Sequence, residues 1–142
     1  MNLTVKDIVF RPLHEVYNAI ISAEKLCGYF TSHASEDIGE GKLLIWEWAD
    51  YNVSAEIAVT TVKKNEQISF EWVVSGKKSS VDIKLKKEEE RKTLIEITEH
   101  SFGSSEKEIL RMMGQTQGWT DFICSLKAYL YTGINLRNGK QN

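Results

Sequence analysis

The chain has 142 residues, with 18 Lys and Arg against 20 Asp and Glu and a formal net charge of −2. That length suits one domain with a sizeable core, and 42% hydrophobic with 27% charged residues is a globular composition, not that of a disordered tail. Near-neutral charge removes the electrostatic footprint of a general nucleic-acid binder, no apolar run approaches the ~20 residues of a membrane span, and no basic-then-apolar leader opens the chain, so the cytoplasm is the expected address.

In chain order, Leu3 to Phe10 alternates Leu3, Val5 and Val9 against Thr4, Lys6, Ile8 and Phe10 and reads as a strand. Pro12, the only proline, sits where a missing N–H costs nothing, in the first turn of a helix with Leu13, Val16, Tyr17 and Ile20 on one stripe. Ser22 is placed to cap a second short helix, Ala23 to Tyr29, weakened near its end by Gly28. Over residues 34–101 the apolar period becomes two. Strands are expected at Lys42 to Trp48, Asn52 to Lys63, Gln67 to Val74, around Val81, Ile83 and Leu85, and at Lys92 to Ser101. The turns between them fall at Gly39-Glu40-Gly41, Ala49-Asp50, Lys64-Asn65-Glu66, Ser75-Gly76-Lys77-Lys78 and the charged tip Lys86 to Arg91. Such spacing predicts consecutive antiparallel hairpins.

Ser105-Glu106-Lys107-Glu108 reads as a capping box, with Ser105 accepting from the Glu108 N–H and Glu108 reaching back to the Ser105 N–H. After it, Ile109, Met112, Thr116, Trp119, Ile123, Leu126, Leu130 and Ile134 recur at steps of three and four along a long amphipathic helix. Gly114 and Gly118 weaken its middle and mark a candidate bend, and Gly133 is its expected end. Residues 1–137 are thus expected to form one domain, and 138–142 a frayed tail. The order defines an α+β chain whose sheet must cover the long stripe, and a twisted sheet wrapped around a helix leaves a wedge-shaped space between them.

The segment Gly114-Gln115-Thr116-Gln117-Gly118-Trp119-Thr120-Asp121-Phe122, continued by Leu126-Lys127-Ala128-Tyr129-Leu130 and Gly133-Ile134-Asn135-Leu136-Arg137, resembles the C-terminal helix of bacterial proteins similar to the activator of the heat-shock protein 90 ATPase. Pro12-Leu13-His14-Glu15-Val16-Tyr17-Asn18-Ala19-Ile20, Ile68-Ser69-Phe70-Glu71-Trp72 and Ile97-Thr98-Glu99 resemble the same family at the expected places, so the likeness covers nearly the whole chain. It implies the START-like helix-grip fold, shared with START lipid-transfer domains, the major birch pollen allergen and polyketide cyclases. In that fold a curved antiparallel sheet of about six to seven strands wraps a long C-terminal helix, with two short helices after the first strand.

The candidate cavity wall is aromatic first: Trp46 and Trp48 share one strand face, Phe70 and Trp72 another, and Trp119 lies in the helix stripe beside Met112, Thr116 and Ile123. Glu99 alternates in phase with Ile95 and Ile97, so it is expected to project inward with Ile97, where a carboxylate needs a buried donor. His100 then points to the opposite face, which rules out a direct acid–base dyad with Glu99. His14, His33, His100, Cys27 and Cys124 show no metal-ligand spacing, and the two cysteines read as reduced, largely buried thiols. No catalytic residue, metal or cofactor is assigned. The anion-binding reading of Gly103-Ser104-Ser105-Glu106 is better explained by the helix cap, and the basic run Lys84, Lys86, Lys87, Arg91 and Lys92 around Glu88-Glu89-Glu90 reads as a solvated hairpin tip. The expected function is non-enzymatic binding of a small hydrophobic or amphipathic molecule between sheet and helix. Two alternatives stand beside it. One is a co-chaperone-like domain, implied by the resemblance and depending on surface charges such as Lys84 and Lys86. The other is a polyketide cyclase/aromatase-like enzyme using Glu99 with Thr116 or Tyr51.

Overall fold

A computed structural model of the chain describes residues 1–74 and 76–138. Its elements run β1 (Leu3–Val9), α1 (Leu13–Ile21), α2 (Ala23–Leu26), β2 (His33–Ala34), β3 (Leu43–Trp48), β4 (Val53–Lys63), β5 (Gln67–Val74), β6 (Lys77–Glu89), β7 (Lys92–Glu99) and α3 (Glu106–Thr132). Ser75 of the expected turn, and residues 139–142 of the expected frayed tail, lie outside the described residues.

The strands form one antiparallel sheet in the order β1-β7-β6-β5-β4-β3-β2. The chain therefore begins on one edge, is carried by α1 and α2 to the far edge, and returns hairpin by hairpin until β7 closes against β1. Register shifts at Val59/Thr61 and Lys87/Glu89 insert bulges, which bend strands and help the sheet curve. Alternation places one residue of each pair inward: Leu44, Trp46 and Trp48 on β3; Ala55, Ile57 and Val59 on β4; Val81, Ile83 and Leu85 on β6; Ile95, Ile97 and Glu99 on β7. Against this face α3 buries Trp119, Phe122, Ile123 and Leu126.

Several local expectations shift. Pro12 is the N-cap of α1, not a residue of its first turn, with extended backbone at ψ 149°. The second helix stops at Leu26 and not at Tyr29, because Tyr29 is drawn fully inside, its hydroxyl donating to the Ala19 carbonyl at 2.9 Å. Gly28 beside it admits the Tyr129 ring, which a Cβ there would meet at 2.5 Å. β6 is longer than its apolar core suggests, since its ladders continue to Val74↔Lys77 on one side and Glu89↔Lys92 on the other. Ser22 and Ser105 cap as expected, accepting from the Lys25 and Glu108 N–H groups at 3.2 Å each. The Glu108 carboxylate, however, takes the Gly103 N–H at 3.1 Å in place of the Ser105 N–H, because the Met1 carbonyl holds Phe102 by its N–H and the chain folds Gly103 over the helix end.

The helix stripe is the largest departure. Helix α3 runs unbroken through Gly114 and Gly118 and ends at Gly133, in left-handed conformation at φ 75°. Only its middle is seated in the core: Ile109 is 39% exposed, Ile134 lies beyond the helix at 57%, and Phe122 is buried although it falls outside the expected stripe. A 27-residue helix is roughly 40 Å long, so its ends outreach the surface that its middle covers.

Candidate functional site

Adjacent strands bring the aromatic residues together. Trp46 and Trp48 of β3 and Phe70 and Trp72 of β5 face inward on either side of β4, where Ala55, opposite Trp46, is small enough to let the indoles approach over it. Trp46 meets Phe70 at 5.3 Å and Trp72 at 6.5 Å between ring centroids, mostly edge to face. Trp119 of α3 lies at 31° to Trp72 with centroids 5.5 Å apart, and Phe30 packs on Trp48, Trp119 and Phe122.

Beneath this layer sits Glu99, with no exposed surface. Its Oε2 accepts from the Trp72 indole N–H at 3.0 Å and the Ser79 hydroxyl at 2.5 Å. Its Oε1 accepts from the Trp119 indole N–H at 2.8 Å and the Gln115 amide at 3.0 Å. Four donors from β5, β6 and α3 converge on one carboxylate, so a single side chain fixes both tryptophans and ties the helix to the sheet. Its strand neighbour His100 stands on the outer face, with Nε2 2.7 Å from Asp82.

Between α3 and the ends of β3, β4 and β5 opens a groove of about 1000 Å³. Of the residues expected to form a cavity wall, Trp48, Trp72 and Trp119 line it. Trp46 and Phe70 pack behind those rings, and Glu99 holds two of them from below. Ile97 and Ile123 are core residues; Met112 and Thr116 are half-buried on α3, the Thr116 hydroxyl donating to the Met112 carbonyl at 2.7 Å.

Further lining residues escaped the sequence reading: Phe30, Phe122, Gly114, Gly118, Asp121 and Arg137. Cys124, expected as a buried thiol, is exposed and lines the groove as well, while Cys27 is half-buried. Phe30 follows a helix that ends early, and Phe122 lies one step off the periodic stripe. Arg137 comes from the segment after α3, where only the family likeness drew notice to it. Its guanidinium meets Asp50 Oδ2 at 2.6 Å, lies 5.3 Å from the Tyr51 ring and reaches Asp121 at 3.9 Å, so the segment after α3 reaches the groove mouth. At the other end of α3, Arg111 and the Gly103 N–H hold the Glu108 carboxyl down to about 2. Among the described residues no three His, Cys, Asp or Glu side chains gather as a metal site, and no helix is long and apolar enough to cross a membrane.

A curved antiparallel sheet gripping a long C-terminal helix, with an aromatic groove between them, is the helix-grip architecture. The family model described as activator of Hsp90 ATPase homolog 1-like protein matches residues 11–131, and the chain belongs to that family. Protein SSP2350 from Staphylococcus saprophyticus has the same fold, with a TM-score of 0.83, 26% identity and 96% of each chain covered. The Aha1 dimer from Colwellia psychrerythraea superposes with a TM-score of 0.80 at 16% identity, covering 94% of this chain and 98% of that one. DynU16, encoded in the dynemicin biosynthetic locus, gives 0.82 at 23% identity over 94% of this chain and 48% of its own. No curated protein matches significantly.

Proposed function

We propose that the protein binds a small hydrophobic or amphipathic molecule in the groove between α3 and the sheet, without chemical conversion. The observation that carries this reading is a space of about 1000 Å³ lined by the rings of Trp48, Trp72, Trp119 and Phe30 together with polar groups such as Gln117, Thr120 and Asp121. Apolar walls with a few polar groups at the edge suit a small ligand. Glu99 acts in this reading as a positioning residue, holding two wall tryptophans, and not as a direct anchor. Native mass spectrometry of the purified protein, repeated after denaturation and organic extraction, tests it. A reproducible added mass that unfolding releases supports binding; a protein that takes up no added hydrophobic compound contradicts it.

A second reading, contact with a chaperone ATPase, is supported by the family's description and by Ile109, Leu110 and Met113, which stand exposed on the first turns of α3. It predicts that the protein stimulates ATP hydrolysis by an Hsp90. The stimulation should be lost on Leu110→Glu with Met113→Glu, or on charge reversal at Lys84 and Lys86, and retained in Trp48→Ala.

A further inference from the structure

Glycine within a helix is ordinarily explained by a neighbour that leaves no room for a side chain. Gly114 and Gly118 have no such neighbour among the described residues: a Cβ at either would meet nothing of them within 4 Å. Both lie inside α3 and adopt its conformation, so no left-handed backbone calls for glycine either. They stand one turn apart on the same side of the helix, and both line the groove. Over this stretch, about 6 Å along the axis, α3 lines the groove with two positions that carry no side chain, and Gln115 and Gln117 line it beside them. The sheet contributes the rings of Trp48 and Trp72 to the same space, and Trp119 lines it beside Trp72.

The charges of the groove are already engaged. Arg137, the one cation among its described lining residues, is held by Asp50 at 2.6 Å and stacks on Tyr51. A ligand carboxylate would have to displace Asp50 to use it.

We propose that Gly114 and Gly118 keep open a flat slot that selects a planar, uncharged aromatic ligand over a flexible acyl chain with a carboxylate end. The inference rests on the binding reading above. A flat ring system can lay its face against the backbone at the two glycines and meet the tryptophans by stacking or by its edge, with no rotors to freeze. Hydroxyl or carbonyl groups on its rim would meet Gln117 and Thr120 at the mouth. An acyl chain gains less from a flat wall and loses torsional freedom on binding.

The test compares Nile red, neutral and polycyclic, with palmitate by calorimetric titration of the full chain and of a Gly114→Leu, Gly118→Leu double variant. Wild type should bind Nile red at least about tenfold more tightly than palmitate. In the double variant the leucines fill the slot from open positions on a helix they favour. Its Nile red affinity should fall at least about tenfold while its thermal midpoint rises. Should the double variant not fold, Gly118→Ala replaces it, with an expected loss of about threefold. Palmitate binding as tightly as Nile red overturns the selectivity and leaves the binding reading intact. Unchanged Nile red affinity in the folded variant overturns the slot. If neither compound binds wild type, the inference and the binding reading fall together.

Discussion

Glu99 concentrates more of the architecture than any other side chain. Two of its four donors are indole N–H groups, which can only donate, and one stands on each oxygen. A glutamine in its place would turn an NH2 group toward one of them in either orientation of the amide. Glu99→Gln is therefore expected to cost about 2–3 kcal/mol, the penalty of leaving buried donors without an acceptor. Urea unfolding followed by tryptophan fluorescence reads this as a lower midpoint at constant slope; a change below ~0.5 kcal/mol would show that the carboxylate does not hold the two rings. Strand phase made the inward direction of Glu99 legible, because Ile95 and Ile97 share its side. Its partners were not legible, since Trp72 and Trp119 lie 27 and 20 positions away on other elements, and no local period reports which ring ends over which carboxylate.

Helix α3 depends on devices at its start and its middle. At the start, Arg111 hydrogen-bonds Glu108 and the Gly103 N–H adds to it, lowering the carboxyl to about 2 from an ordinary 4.5. A carboxyl lowered by folding stabilises the folded state above its ordinary value, and that contribution drains away as pH falls from about 4.5 toward about 2. The first turns of α3 should accordingly loosen over that interval. Amide exchange at residues 106–112 would reveal it, and Glu108→Gln should exchange faster at neutral pH while losing the acid dependence. In the middle, alanine at Gly114 or Gly118 meets no atom of the described residues within 4 Å, so each replacement should raise stability by about 0.5–1 kcal/mol in thermal or denaturant unfolding. Gly28→Ala should act in the opposite direction, because the Tyr129 ring occupies the space of the new methyl group. Alternation and helical period made these elements legible, along with the serine caps. What escaped was decided by partners. α2 ends where Tyr29 is pulled inward, β6 extends as far as β5 and β7 pair with it, and the buried face of α3 is set by where the sheet lies beneath it.

At the scale of the whole molecule, two segments far apart in the chain meet at the rim of the groove. Asp50, in the turn between β3 and β4, and Arg137, past the end of α3, are 87 positions apart and meet at 2.6 Å with little exposure of either side chain. Among the described residues Asp50 Oδ1 is buried without a hydrogen-bond donor, and Arg137 pairs with that carboxylate through Oδ2. Removing the guanidinium would strand a nearly buried charge, which costs more than the pair itself contributes. Arg137→Ala is expected to lower stability by about 1–3 kcal/mol, below the range for fully buried pairs because water reaches both groups. It should also release residues 134–138 to faster hydrogen exchange, while Asp50→Asn, which keeps an acceptor for the guanidinium, should do so less. If exchange at the chain end is unchanged in Arg137→Ala, the ion pair does not fasten it, and the mouth of the groove is shaped by Tyr51 and the helix rim. If exchange rises, the wedge that any curved sheet leaves against a helix is here narrowed by the segment that follows α3, through a contact that no period in the sequence announces.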